Sequence, residues 1–267
     1  MIRNSRHDLR SARPMHRSAP ALLALLAAAA CAFPTSVARK AIELKLPADV
    51  QSLSCESHNG TIVVVGDAAV TEIALRAEIE AHAGTQAEAD ALLNELSVVH
   101  EVSGGKLTIR GKHPEQLIGK IASFAFTLRV PPQLALSLDS HNGMVRVDGA
   151  SGAVEVSSHN GSILVDTSGN RVDATTHNGE VHVVARGTGE LAGAIETHNG
   201  EATITIGDGI STTVEATTDN GSIECANGAT MTRAGRSTVR CEFAGGKGQV
   251  TLKTHNGNVR IRRDTKN

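Results

Sequence analysis

Six histidines stand at the same point of a repeated phrase, and their spacing is regular enough to suggest metal chemistry. The phrase is His-Asn-Gly, and in a seventh copy aspartate replaces the histidine. The copies are His58-Asn59-Gly60, His141-Asn142-Gly143, His159-Asn160-Gly161, His177-Asn178-Gly179, His198-Asn199-Gly200, Asp219-Asn220-Gly221 and His255-Asn256-Gly257. Neutral imidazole is a frequent ligand of Zn²⁺ and Cu²⁺, so rings held side by side are candidates to share such an ion.

The intervals between copies predict an internal repeat. Intervals of 18 residues separate His141, His159 and His177, and intervals of 21 residues separate His177, His198 and Asp219. If the repeats stack as parallel strands, equivalent residues rise at steps of about 4.8 Å. His141, His159, His177 and His198 would then form an outward column, which is the predicted Zn²⁺ or Cu²⁺ site. The favoured alternative is that histidine simply tolerates an exposed corner. Stacked rings should also resist joint protonation, so the column is expected to lose order below roughly pH 6.

Each phrase lies between two short stretches in which apolar and polar residues alternate. Val154 and Val156 precede one copy, and Ile163 and Val165 follow it. Alternation with a period of two predicts strands with one buried face. One repeat is therefore a strand, an Asn-Gly corner, a second strand and a glycine-rich corner.

Two architectures compete for this pattern. Asn-Gly between alternating strands is a strong signal for a two-residue hairpin, which predicts an antiparallel stack. Recurrence of the same apolar columns favours a solenoid, because one coil cannot bury its apolar face without neighbours. We therefore predict an all-β, single-chain β-solenoid of roughly 18–21-residue two-stranded coils, with a small N-terminal strand–helix elaboration. Corner asparagines would then form a ladder of like side chains.

The sequence divides into three segments. Residues 1–38 resemble a signal peptide, with a basic start and an apolar run at 21–30 that is shorter than a membrane span of roughly 20 residues. Met15 is an alternative start, Cys31 is a candidate lipidation site, and an uncleaved anchor is the alternative reading. Residues 39–132 hold the first coil and an insertion, and residues 133–267 are the regular repeats.

The insertion and the cysteines carry further predictions. Thr85 and Glu88 have the spacing of a capping box that begins a short helix. A repeat without the phrase is expected between Asp219 and His255. In that register Cys241 would lie one coil from Cys225 in the same inward column, which makes the two a candidate disulfide in an exported protein. Cys55 is expected to be a buried free thiol.

Charge and composition exclude some classes of function. The full chain has a net charge of −2. Loss of residues 1–38 removes five arginines and one aspartate, which makes the remainder more acidic and gives no electrostatic reason to bind nucleic acid. No segment after residue 38 is apolar enough to span a membrane. The outward carboxylates Glu155, Asp173 and Glu215 suggest Ca²⁺ or polysaccharide chemistry, but a solvated acidic face is the favoured reading.

The combination of leader, helix insertion, the stretch Phe126-Thr127-Leu128-Arg129-Val130-Pro131 and Asn-Gly coils resembles the bacterial “putative adhesin” family of unknown function. The resemblance implies an envelope-associated β-solenoid without established catalytic residues, in the periplasm or associated with the cell surface or outer membrane. The usual residue before Asn-Gly in that family is small, whereas here it is histidine. We predict a non-enzymatic binding or scaffolding module whose partner is an envelope or surface protein or a glycan. The alternative is a metal-binding or pH-responsive protein using the histidine column, and the third reading is a polysaccharide-active enzyme. No cofactor is predicted beyond that Zn²⁺ or Cu²⁺.

Overall fold

Strands dominate the computed structural model, which describes residues 34–226, 229–233 and 237–264. Met15, Cys31 and most of the predicted signal peptide lie outside the described residues. The first strand begins at Ser36, inside the last three residues of that predicted segment. Within the described part of the chain, no helix has the length and apolar character needed to cross a membrane.

In chain order the elements are β1 (Ser36–Pro47), β2 (Ser52–Asn59), β3 (Ile62–Gly66), β4 (Glu72–Ala83), α1 (Gln86–Glu95), β5 (Ser97–Ser103), β6 (Lys106–Lys112), β7 (Ile121–Val130), β8 (Ala135–Asn142), β9 (Val145–Ala150), β10 (Val154–Asn160), β11 (Ile163–Thr167), β12 (Arg171–Asn178), β13 (Val181–Ala185), β14 (Gly189–Glu190), β15 (Ala192–Asn199), β16 (Ala202–Ile206), β17 (Ile210–Asn220), β18 (Ile223–Cys225), β19 (Thr230–Arg233), β20 (Thr238–Phe243), β21 (Gly248–Asn256) and β22 (Val259–Arg263).

These strands form two sheets joined at every Asn-Gly corner. Sheet A has the order β1-β4-β7-β3-β9-β11-β13-β16-β22-β18, and sheet B has the order β19-β20-β17-β21-β15-β12-β10-β8-β2-β6-β5, with the short β14 paired to β17. In sheet B, β10 pairs in parallel with both β8 and β12, so that Asn142, Asn160 and Asn178 lie opposite one another. The β-solenoid prediction is confirmed. The hairpin alternative is wrong, because each corner carries the chain to the other sheet instead of back beside itself.

The core between the sheets is aliphatic. The alternating residues Val154, Val156, Ile163 and Val165 are each at most 2% exposed. Equivalent positions in neighbouring coils extend the same columns along the molecule. The period-two pattern therefore determines which side of every strand is buried, and it sends the intervening polar residues outward.

The N-terminal elaboration covers one end of the solenoid. Sheet A continues through β7, which is parallel to β3, into β4 and β1, which pair antiparallel, and sheet B continues into β6 and β5. The capping box of α1 is formed as predicted, because Thr85 accepts from the backbone N–H of Glu88 and the Glu88 carboxylate accepts from that of Thr85. From β1, half-buried Lys40 reaches the other end of the helix and donates to the carbonyl oxygens of Leu93 and Leu96, at 2.7 and 2.6 Å.

The C-terminal end differs from the sequence prediction. β21 lies between β15 and β17, and β22 lies between β16 and β18. The coil of His255 is therefore inserted between the coils of His198 and Asp219, although it comes last in the chain. The expected extra parallel coil is wrong: β20 runs antiparallel on the outer side of β17, and β19 pairs with it. In this arrangement β21 pairs with a parallel strand on each side.

Candidate functional site

Six imidazoles form one continuous stack along the corner that joins the sheets. Ring centroids are 4.8 Å apart for His58–His141, 4.9 Å for His141–His159, 5.0 Å for His159–His177, 4.8 Å for His177–His198 and 4.7 Å for His198–His255. The ring planes of these pairs differ by 2–8°. Because the coil of His255 docks directly on that of His198, the stack is longer than the four rings predicted. Five of the rings are exposed, and His255 is half-buried.

The residue before each histidine fastens the corner to the next coil. Thr176 donates through Oγ1 to the carbonyl oxygen of Gly161 at 2.9 Å, and Thr197 makes the same bond to Gly179 at 2.8 Å. The equivalent glycine carbonyl accepts from Ser140, Ser158, Thr218 and Thr254, whereas Ser57 donates to the carbonyl oxygen of Phe124 on β7. These hydroxyls are buried, so each needs this partner.

Asparagine forms a second ladder, in which every side-chain amide after that of Asn59 donates to the amide oxygen of its neighbour, and Asn59 donates to the backbone carbonyl of Ala122. Asn160 Nδ2 donates to Asn142 Oδ1 at 2.9 Å, and Asn178 Nδ2 donates to Asn160 Oδ1 at 2.7 Å. The ladder continues through the inserted coil, where Asn256 donates to Asn199 and Asn220 donates to Asn256. The ladder keeps adjacent coils in register and therefore keeps the imidazoles opposite one another.

Glycine is required because neighbouring corners approach too closely for any side chain. A Cβ at Gly161 would lie closer than 3.0 Å to the carbonyl oxygen of Gly143, and a Cβ at Gly179 would meet that of Gly161 in the same way. Gly179 also has a φ of +148°, which L-residues rarely adopt. Each corner thus combines a hydrogen-bonded hydroxyl before the phrase with an exposed ring, an amide ladder and a close backbone approach within it.

The two ends of the stack differ chemically. At one end Nδ1 of His255 lies 2.6 Å from Oδ2 of Asp219, which occupies the histidine position of the outermost coil. At the other end His58 lies 6.5 Å from His113 between ring centroids. Partial desolvation of the ring, with smaller contributions from His141 and His113, lowers the pKa of His58. Among the described residues, no protein group hydrogen-bonds to the other five rings of the stack.

The stacked arrangement of the imidazoles does not present a preformed metal site. In parallel rings the nitrogen lone pairs, which lie in the ring planes, run alongside each other and do not converge on one point. Within the described ranges, no group of three or more His, Cys, Asp or Glu side chains is arranged to hold a metal ion. Zn²⁺ or Cu²⁺ binding by His141, His159, His177 and His198 stays a prediction, and it requires neighbouring rings to turn toward each other.

Two of the three outward carboxylates, Glu155 and Asp173, line a shallow cleft at the other end of the sheet B strands. The cleft has a volume of about 500 Å³, and its polar lining consists of Ser52, Lys106, Ser137, Glu155, Arg171 and Asp173. Glu155 and Asp173 are directly opposite on β10 and β12. Asp173 is already engaged, since Arg171 donates to Oδ2 at 2.8 Å and the backbone N–H of Ala194 donates to Oδ1 at 3.0 Å. Glu215 lies apart from this cleft, opposite Arg240.

The cysteines occupy different sheets. Cys225 ends β18 in sheet A, Cys241 lies on β20 in sheet B, and a disulfide joins them. The expectation that both belong to one inward column is wrong, because the segment that carries Cys241 runs antiparallel on sheet B instead of forming another coil. Cys55 is a free, buried thiol, and burial raises its pKa.

Comparison with known proteins agrees with this architecture. Residues 28–262 match the family described as Toastrack DUF4097. The chain belongs to the Toastrack DUF4097 family. The search of curated proteins found no match for this Toastrack chain.

Solved structures similar to this Toastrack chain come from several bacteria. One is a “putative cell adhesion protein” of Clostridium sporogenes, 14% identical, with a TM-score of 0.49, covering 85% of this chain and 100% of that one. A “putative adhesin” of Bacteroides fragilis is 12% identical, with a TM-score of 0.25, covering 86% and 98%. A “putative lipid binding protein” of Parabacteroides distasonis is 13% identical, with a TM-score of 0.26, covering 84% and 96%.

Sequence reasoning missed three features of this Toastrack domain. They are the insertion of the His255 coil, the contact between His255 and Asp219, and the Lys40 bonds to the end of α1. The replacement of histidine by aspartate in a single copy was the available signal for the second feature. Once the coil order was known, this replacement indicated that Asp219 marks one end of the imidazole stack. No sequence pattern marked the other two.

Proposed function

We propose that this chain is a non-enzymatic, exported β-solenoid that binds or scaffolds a glycan or a protein at the bacterial cell envelope. The proposal rests on the outer face of sheet B, where the repeat presents polar side chains at fixed intervals beside the cleft of about 500 Å³. The cleft offers carboxylate, guanidinium, ammonium and hydroxyl groups within one surface. That mixture of donors and acceptors suits a ligand rich in hydroxyl and amide groups.

The rigidity of the scaffold supports a binding role. Ser/Thr, Asn and backbone hydrogen bonds fasten each coil to the next, so the outer face is ordered before a partner arrives. A preorganised surface loses less conformational entropy on association than a mobile one. The disulfide between Cys225 and Cys241 is compatible with an oxidising compartment, which supports export.

The hydrogen bonds that Asp173 accepts support the non-enzymatic part of the proposal. Glycoside hydrolysis needs one carboxylic acid that stays protonated near neutral pH beside a second carboxylate. Asp173 instead accepts a hydrogen bond from Arg171 at one carboxylate oxygen and another from the backbone of Ala194 at the other, so protein donors already engage both oxygens. The pair Glu155 and Asp173 therefore suits ligand binding better than proton transfer.

Co-sedimentation of the purified chain with isolated peptidoglycan sacculi tests the proposal. The site variant combines Lys106→Gln with Glu155→Gln, and the matched control combines Lys45→Gln with Glu43→Gln on the outer edge of sheet A. Both double variants leave the net charge unchanged. We expect the parent and the control to sediment with sacculi. The site variant should bind about tenfold more weakly, because loss of a charged hydrogen bond costs about 1.5 kcal/mol or more.

Equal binding by the parent and the site variant would rule out the cleft as the binding surface. If the parent fails to bind sacculi, a glycan partner of this class is excluded. Photo-crosslinking from position 155 to one envelope protein, abolished by the site variant, would then favour the protein partner. Absence of both signals would contradict the proposed function.

A further inference from the structure

We propose that the Asp219 end of the imidazole stack is a site for a divalent transition-metal ion, with His198 and His255 as ligands and Asp219 as the positioning residue. Zn²⁺ and Cu²⁺ are the ions that imidazole pairs bind well. This inference is independent of the proposed glycan or protein partner, because it uses a different surface and a different chemistry.

Asp219 fixes the tautomer of His255. An ionised carboxylate can only accept, so Nδ1 of His255 must carry the proton across the 2.6 Å contact. The lone pair is then on Nε2, and no described protein group hydrogen-bonds to that nitrogen. A carboxylate that accepts from the far nitrogen of a metal-binding histidine orients the ring and raises its basicity. Within the stack, His255 is the only described imidazole that has such a carboxylate partner.

His198 supplies the second ligand. Its ring centroid is 4.7 Å from that of His255, and the 8° angle between their planes is the largest in the stack. Two nitrogens on one Zn²⁺ lie at most about 4.2 Å apart, because each Zn–N bond is about 2.0–2.1 Å. Because Asp219 holds the His255 ring, we expect the His198 ring to turn toward it when the ion binds. No hydrogen bond in the described residues holds the His198 ring in its stacked position.

The surroundings favour a cation. The adjacent groove has a volume of about 350 Å³, and its lining includes His177, Glu196, Asp219 and Lys253 beside the two ligands. Two carboxylates outnumber one ammonium there, so the local charge attracts a divalent ion. Since no third ligand from the described part of the chain already converges on the pair, we expect water to complete the coordination. The expected site is therefore open and exchanges its ion, unlike a closed structural zinc site.

Calorimetric titration of the purified full chain with Cu²⁺ and with Zn²⁺ tests the assignment. Cys31→Ser is the background for every variant, which removes a competing thiol. The ligand variant is His198→Gln with His255→Gln, the positioning variant is Asp219→Asn, and the control is His100→Gln on β5, outside the stack. Circular dichroism of each variant establishes that the strands are retained.

The parent and the control should bind one ion at micromolar concentrations, with nitrogen couplings from two imidazoles in the electron paramagnetic resonance spectrum of bound Cu²⁺. The ligand variant should lose this site. Asp219→Asn should keep both nitrogen couplings but weaken binding by about 10- to 100-fold, the usual effect of losing such a hydrogen-bond partner.

Three results would overturn the proposal. They are a parent that takes up neither ion, a ligand variant that binds like the parent, and a site that survives in the ligand variant but disappears with His58→Gln and His141→Gln. If Asp219→Asn binds with unchanged affinity, the positioning role is excluded. Peptidoglycan co-sedimentation of the ligand variant separates this outcome from that of the proposed function, because the cleft lies at the other end of the strands.

Discussion

At the scale of single residues, the three positions of the repeated phrase and the Ser or Thr before it have four different physical tasks. The hydroxyl before the histidine satisfies a neighbouring carbonyl, the ring stacks, the amide continues a ladder, and glycine lets two backbones touch. In most copies the imidazole is the one group of the four that makes no hydrogen bond to a described protein group. The histidine is therefore the position most open to a chemical function, whereas the other three hold the coil.

Replacement of Gly161 by alanine should destabilise the solenoid. The new Cβ would press on the backbone carbonyl of Gly143, which cannot rotate away, so we expect a loss of about 1–3 kcal/mol. Urea unfolding followed by circular dichroism measures the change. Gly84→Ala is the matched control, because only the end of the Glu88 side chain lies near its Cβ, and it should change stability by less than about 0.5 kcal/mol. Equal effects of the two substitutions would contradict the close approach.

Acidification should weaken the folded state through His58. Partial desolvation of the ring lowers the pKa of His58 below its ordinary value of 6.5, so the unfolded chain binds the proton first as the pH falls. The contribution is fully present above pH 6.5, and it is lost progressively as the pH falls through the lower folded-state pKa. Urea unfolding at roughly pH 7.5 and 5.0 should show a smaller pH dependence for His58→Gln than for the parent.

His100→Gln serves as the comparison, since His100 lies on β5 outside the stack, and it should retain the pH dependence of the parent. A His58→Gln chain whose unfolding free energy falls with pH as steeply as that of the parent would exclude this residue as a source.

At the scale of elements, the disulfide fastens the last strand of sheet A to sheet B. It closes a loop with a sequence separation of 16 residues, for which the chain-entropy relation gives about 3 kcal/mol. Reduction should therefore lower the free energy of unfolding by about that amount. Replacement of both Cys225 and Cys241 by serine should reproduce the effect and make reduction inconsequential.

Thiol counting in a Cys31→Ser chain checks the same pairing. In denaturant without reductant only Cys55 should react, whereas the native chain should show no reactive thiol because Cys55 is buried. Three reactive thiols in unreduced denaturant would show that Cys225 and Cys241 are not joined.

The strands, the capped helix and the parallel stacking were predictable because each depends on local patterns. Alternation fixes the buried face, Thr85 and Glu88 fix the start of α1, and recurrence of Asn-Gly fixes the register. The pairing of Cys225 with Cys241 was predicted from a register that proved wrong, because antiparallel and parallel strands show the same alternation in sequence. The Lys40 contact joins residues more than 50 positions apart and has no local signature.

At the scale of the whole molecule, the coil order determines which residues of the stack are neighbours. A chain with His198→Cys and His255→Cys should form a disulfide under mild oxidation, because equivalent residues on adjacent strands lie about 4.8 Å apart. His198→Cys with Asp219→Cys should not, since two coils span about 9.6 Å. Mass spectrometry of unreduced peptides distinguishes the two links. The opposite pattern would mean that the coils stack in sequence order.

The inserted coil also determines when the solenoid can be finished. Asn199 and Asn256 are direct partners although 57 positions separate them along the chain. As the polypeptide lengthens from its amino terminus, β15 and β16 present unpaired backbone edges until residues up to 263 have emerged. The coil of Asp219 is synthesised earlier, but in the folded protein it packs on the coil of His255, which has not yet been made. Completion therefore depends on a long-range closure, which slows folding and leaves an edge open to foreign strands during that interval.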